Sequence, residues 1–189
     1  MVNISEEALA LNKEEFLTLV EGISREGFRY AELVEYLNAS DFYTAPASTR
    51  FHLSCKGGLC QHTLNVYHNM KTLQAVYPQM AGIVEDSIRI VSLFHDFAKI
   101  NYYITTSRNV KRYCANGKQH DALGNFVWES ELGYTVDDSK RFLYGNHAGM
   151  SKDCAQDNIT EIFNRNPLAF LLHMADMMST YVTESTKNE

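Results

Sequence analysis

Apolar residues recur at the three-and-four spacing of an amphipathic helix twice near the start of the chain. Phe16, Leu19, Val20 and Ile23 do so before Gly27, and Leu33, Val34 and Leu37 do so again. Residues 39–58 break the pattern with turn formers, a proline and the pair Gly57-Gly58, predicting an irregular approach to a third helix from near Leu59 through Gln74. From Val84 to Ile100 apolar residues fall on almost every side, as expected of a helix in the middle of a core, with His95 and Asp96 in its last turns. YYIT and VKRYC then flank the turn-like TSRN, which predicts a small β-hairpin reaching to about Cys114.

Beyond the hairpin, Leu123, Phe126, Val127 and Trp128 mark another helix. Thr135 caps the next, whose acidic first turn (Asp137, Asp138) precedes Phe142 and Leu143 and which stops around Gly145. The last helix has Asn166 at its cap, Pro167 in the first position, and Leu168, Leu171, Leu172, Ala175, Ser179 and Val182 on one stripe, with Asp176 within or beside it. The expected fold is all-α, a helical bundle carrying one small β-hairpin.

The 189 residues, 45% hydrophobic and 12% aromatic, suffice for a single compact domain, with residues 1–45 as helices packed on a core of 46–182. The start MVNISEEALALNKEE lacks the basic and apolar stretches of a secretory signal, and no apolar run approaches the roughly 18 residues of a membrane span, so a cytoplasmic protein without membrane association is expected. Cys55, Cys60, Cys114 and Cys154 are too scattered for paired zinc knuckles and read as reduced structural thiols. A net charge of −6 disfavours a general nucleic-acid binder but leaves room for a small anionic substrate held by local positive charge.

Asp96 and Asp176 both lie in strongly apolar helices, where an uncompensated carboxylate costs several kcal/mol or is forced to protonate. A metal ion compensates such charge, and neutral imidazoles are its natural co-ligands in an apolar wall. One His or Asp on an apolar face is more often a hydrogen-bonded core residue. Here, however, His62, His95-Asp96, His120, His147 and Asp176 fall on separate predicted helices or their approaches, with gaps of 33, 24, 27 and 29 residues. Successive antiparallel helices with that spacing bring one ligand each to a common point.

The series, in the contexts GGLCQHTLNV, VSLFHDFAKI, GKQHDALG, GNHAG and LLHMADMMSTY, resembles the HD-domain superfamily, whose two-metal branch has the ordered signature H…HD…H…H…D. The resemblance covers about Pro46 to Val182 and includes bacterial and phage HD hydrolases, among them the HD half of certain 3′-to-5′ exoribonucleases. It implies a metal-dependent phosphohydrolase acting on a nucleotide phosphomonoester or phosphodiester, with a nucleotide or short oligonucleotide as substrate. It further implies that His62, His95, Asp96 and Asp176 hold one ion, that Asp96 bridges, and that His120 with His147 hold a second. The mixed imidazole and carboxylate set points to Mn, Fe, Co, Ni or Zn ahead of Ca. The chain has no GYP motif, and Ala148 follows His147 where the branch that cleaves cyclic di-GMP usually has a second His, so that substrate is disfavoured.

Asp96 and Lys99, one turn beyond His95, are the catalytic candidates of this segment. Between Phe97 and His120 there is no acidic residue, whereas Lys99, Arg108, Lys111, Arg112 and Lys118 are all basic. We expect this hairpin segment to grip phosphate through Arg108, Lys111 and Arg112, the arginines being suited to bidentate contacts. His52, ahead of the first ligand helix, is a candidate substrate contact. His68 is expected to point away from the site and His173 to lie near Asp176. Two rival readings use the same residues: a di-iron HD-type oxygenase, and a catalytically silent nucleotide-binding module.

Overall fold

The computed structural model describes residues 3–107, 109–111, 163–164 and 167–185. Over these the chain is mostly helical with one two-stranded antiparallel hairpin, the class that the periodicity predicts. Helix α1 (Glu6–Glu21) begins where the Ser5 hydroxyl accepts the Ala8 amide at 3.2 Å, with Glu6 and Glu7 at the positive end of the helix dipole. It buries Phe16 and Val20, and α2 (Tyr30–Ala39) buries Leu33 and Leu37.

These side chains form one cluster with Leu59, Leu64 and Met70 of α3 (Gly58–Val76) and with Ile88, Val91 and Phe94 of α4 (Glu85–Phe94). The N-terminal helices therefore share the core of the helices that follow. Helix α3 is central, touching α1, α4 and α5 (Pro167–Met178). An aromatic group of Phe16, Phe42, Phe94 and Phe97, with centroids 4.7 to 5.4 Å apart along the chain of contacts Phe16–Phe42–Phe97–Phe94, stabilises this core by roughly 2 kcal/mol per buried ring.

Two expectations need correction. The helix predicted from Val84 to Ile100 ends at Phe94. Asp96 leaves helical geometry (φ −103°, ψ 13°), and a 3-10 turn over Phe97–Lys99 follows, closed by the Lys99 amide on the Asp96 carbonyl at 2.8 Å. The stripe of the last helix does not extend to Val182, which is 67% exposed. A π turn over Ser179–Thr183 replaces the expected α-helical turn, so the stripe rotates and Glu184, not Val182, is carried inward.

The hairpin pairs β1 (Tyr103–Thr105) with β2 (Asn109–Lys111) in the register Tyr103 to Lys111, Ile104 to Val110 and Thr105 to Asn109. Asn109 donates from its side chain to Ser54 Oγ at 2.9 Å, tying the hairpin to the irregular segment ahead of α3. The helices expected around 123–128 and 135–145, the continuation of the hairpin to Cys114 and the Asn166 cap lie outside the described residues. Among the described residues, no helix is long and apolar enough to cross a membrane. Cys60 is buried and Cys55 half-buried, both as free thiols, in keeping with a structural role.

Candidate metal centre

Three pieces of backbone converge on the centre of the bundle. The first is the start of α3. Gly57 adopts a left-handed conformation (φ 76°), and a Cβ on Gly58 would stand 2.1 Å from the Leu53 carbonyl oxygen, so only glycine lets the incoming segment cross the helix start this closely. That crossing seats His62 one turn into α3. The second is the end of α4, where His95 keeps helical geometry (φ −56°, ψ −31°), its amide on the Val91 carbonyl at 3.2 Å, and Asp96 breaks away from it. The third is α5, whose buried side includes Asp176 between Ala175 and the Ser179 turn.

All four residues, with Glu184, are at most 9% exposed, so their charges face mainly protein instead of water. The His62 Nε2 atom lies 3.1 Å from Asp176 Oδ1 and 3.7 Å from Asp96 Oδ2, while His95 Nε2 lies 3.8 Å from the same Asp96 oxygen. Ligand atoms of His62, His95 and Asp96 are all within 4.8 Å of one another. This is close to the span that two metal–ligand bonds of about 2.1 Å cover.

The second nitrogen of each ring decides which one is available. His95 Nδ1 faces the Ser92 carbonyl oxygen at 2.7 Å, and His62 Nδ1 faces both oxygens of Glu184, at 2.9 and 3.1 Å. A carbonyl and a carboxylate only accept, so each Nδ1 carries the proton and each neutral ring presents its lone pair at Nε2, toward the aspartates. The residues fit a borderline divalent ion on this ground: two imidazole nitrogens and the Asp96 carboxylate within reach of one another, with Asp176 against His62 Nε2 as a further acidic neighbour. His52, His62 and Glu184 form a second group of possible ligands. A neutral imidazole has one lone pair, so His62 serves one group at a time, and the Nδ1 proton held by Glu184 selects the aspartate side.

The electrostatics follow from burial. Burial alone would lower the pKa of His62, but Asp176, Glu184 and Asp96 outweigh it and push it up to about 10. Without a metal, a proton therefore takes the place of the cation at Nε2. Burial tends to raise Glu184, yet the His62 and Asn65 hydrogen bonds hold it below the usual carboxylate range. Lys99 donates to Asp96 Oδ2 at 2.6 Å and to the Ala47 carbonyl at 3.0 Å, and against the effect of burial the Asp96 charge raises its pKa.

Of the residues singled out from the sequence, His62, His95, Asp96 and Asp176 come together, with Lys99 bonded to Asp96. His52 stacks obliquely on His62 with ring centroids 4.8 Å apart, and neither of its nitrogens has a hydrogen-bond partner among the described residues. Burial and the neighbouring His62 lower its pKa to about 4, so it is neutral at pH 7. His68 points away, its Nε2 2.7 Å from Glu15. His173 is exposed and lies against Phe163, ring centroids 5.4 Å apart, instead of the centre. His120, His147, Arg108 and Arg112 lie outside the described residues. Lys111 has its backbone in β2, opposite the buried Tyr103.

The sequence reading did not find Glu184 or the Asn65 that donates to it at 2.8 Å. On an ideal α-helix a residue eight beyond Asp176 sits about 80° around the axis, and nothing in the apolar pattern announces the π turn that redirects it. No known protein family, curated protein or solved structure matches the chain.

Proposed function

We propose that the chain is a divalent-metal-dependent phosphohydrolase of the HD type, acting on a nucleotide phosphomonoester or phosphodiester. The observation that carries the reading is the buried cluster of His62, His95 and Asp96, with Asp176 3.1 Å from His62 Nε2, in the chain order H…HD…D. A bound ion would supply a Lewis acid for phosphoryl oxygens and a hydroxide near neutral pH.

The chain's own residues do the rest. His95 and His62 are held through Nδ1 so that both Nε2 atoms face inward, and Lys99 fixes the carboxylate of Asp96. His52 is a neutral donor or acceptor beside the ligand ring, suited to a substrate oxygen or leaving group. The basic residues Arg108, Lys111 and Arg112 would bind phosphate from the hairpin segment, which Asn109 ties to the segment carrying His52. His120 and His147 would hold the second ion of the two-metal branch.

The test is protein purified without chelator, its metal content measured, and hydrolysis assayed with Mn on nucleotides, cyclic dinucleotides and short oligonucleotides. We expect bound transition metal and phosphate-ester turnover, with His95→Ala lowering turnover about 100-fold, roughly 2.7 kcal/mol of barrier. Absence of metal together with an active His95→Ala protein would overturn the reading. Oxygen uptake by iron-loaded protein without phosphate release would replace it with the oxygenase, and tight nucleotide binding without turnover would replace it with the silent module.

A further inference from the structure

Glu184 has no part in the reaction proposed above, yet its buried carboxylate reaches His62 from 122 positions away along the chain. Its delivery is elaborate. The Glu184 amide bonds to the Ser179 carbonyl five residues back at 2.8 Å, closing the π turn, and the Ser179 hydroxyl bonds in turn to the Ala175 carbonyl at 2.8 Å. Helix α3 receives the turn with a row of side chains at helical spacing. His62 and Asn65 both donate to the carboxylate, and Asn69 donates to Ser179 Oγ at 2.8 Å and Thr183 Oγ1 at 3.2 Å.

This arrangement is costly for a fold to keep for stability alone. A π turn is rarer than the α-helical turn it replaces, and a buried acid must recover its lost hydration through its few partners. Its distinctive result is at His62, where the carboxylate grips one nitrogen and leaves the other facing Asp96 and Asp176. We propose that Glu184 is a positioning residue: by holding the Nδ1 proton of His62 it fixes the tautomer and ring plane of that imidazole and so sets the affinity for a divalent ion at Nε2. The proposal rests on the metal reading of the site. It also makes the π turn the device through which one stretch of chain, residues 176–184, supplies both a ligand and the support of a ligand on another helix.

The experiment compares the unmodified chain with Glu184→Ala, Glu184→Gln and His95→Ala, reading Mn affinity by competition with a chromophoric chelator and folding by melting temperature. Loss of such a carboxylate partner weakens metal binding about 10- to 100-fold, which we expect for Glu184→Ala. Glu184→Gln should fall between, because its amide oxygen still accepts the Nδ1 proton without the charge. Should Glu184→Ala not fold, Glu184→Gln carries the test, and it must bind Mn measurably more weakly than the unmodified chain. Affinity unchanged in the folded Glu184 variants, while His95→Ala loses binding, overturns this proposal and leaves the metal site standing. No Mn binding by the unmodified chain overturns both.

Discussion

At the scale of single residues the tightest contact in the centre is between Lys99 and Asp96, 2.6 Å apart three positions along the same turn. The carboxylate is 1% exposed and the lysine side chain 23%, so this pair is largely withdrawn from water. Removing one member of a buried pair strands the other charge at a cost of about 3 kcal/mol or more, moderated here by the partial exposure of Lys99. We therefore expect Lys99→Met to lose on the order of 2 to 3 kcal/mol in urea unfolding of chelator-treated protein. A loss under about 0.5 kcal/mol would mean that the pair is worth no more than a surface ion pair, and Lys99 would then be free to turn to a substrate.

At the scale of elements, α3 and α4 are clamped at their outer ends by Glu85, which accepts from Tyr67 Oη at 2.8 Å and from Lys71 Nζ at 2.5 Å while Arg89 Nε lies 3.2 Å away. Burial tends to raise the Glu85 carboxyl, but the Lys71 and Tyr67 hydrogen bonds and the charges of Lys71 and Arg89 outweigh it and hold it below its ordinary value. A depressed folded pKa gives stability that is complete above the unfolded value, about 4.3, and is lost as pH falls through the folded value. Glu85→Gln should thus cost about 0.5 to 1 kcal/mol at pH 7, with the gap between the two proteins closing as unfolding is measured at successively lower pH below about 4.3. A gap that stays constant down that range would show that shape, and not charge, is what the clamp supplies. The elements themselves were legible where apolar periodicity is simple. The start of α3 after the glycine pair and the hairpin across TSRN both stand within a residue or two of expectation. The breaks were not legible: no glycine or proline marks the end of α4 at Phe94, and the π turn at Ser179 brings Glu184 to His62, 122 positions away, a contact made only after the chain has folded.

At the scale of the whole molecule, the candidate site was legible as an order of metal-ligating residue types and illegible as a support structure. His62, His95, Asp96 and Asp176 could be picked out because imidazoles and acids stand out against apolar helices, whereas the Ser92 and Ala47 carbonyls that orient His95 and Lys99 carry no side-chain signature. The same geometry gives a global readout. The four candidate ligands come from the start of α3, the turn after α4 and the last turn of α5, so an ion bound between them would join segments that unfolding separates. Such an ion would bind the folded chain and find no assembled site in the unfolded one. At 100 times its dissociation constant such an ion stabilises by about 2.7 kcal/mol, and at this chain length each kcal/mol moves the melting temperature by about 2 to 4 °C. Chelator-treated protein should accordingly melt roughly 5 to 10 °C higher once Mn or Co is added to that excess. Calcium should do far less, since imidazole donors suit the transition metals and not a hard oxygen-seeking ion. The same titration on His95→Ala should be nearly flat. Equal shifts with Mn and Ca, or an undiminished shift in His95→Ala, would place the stabilising ion on surface carboxylates and remove the centre of the bundle as its site.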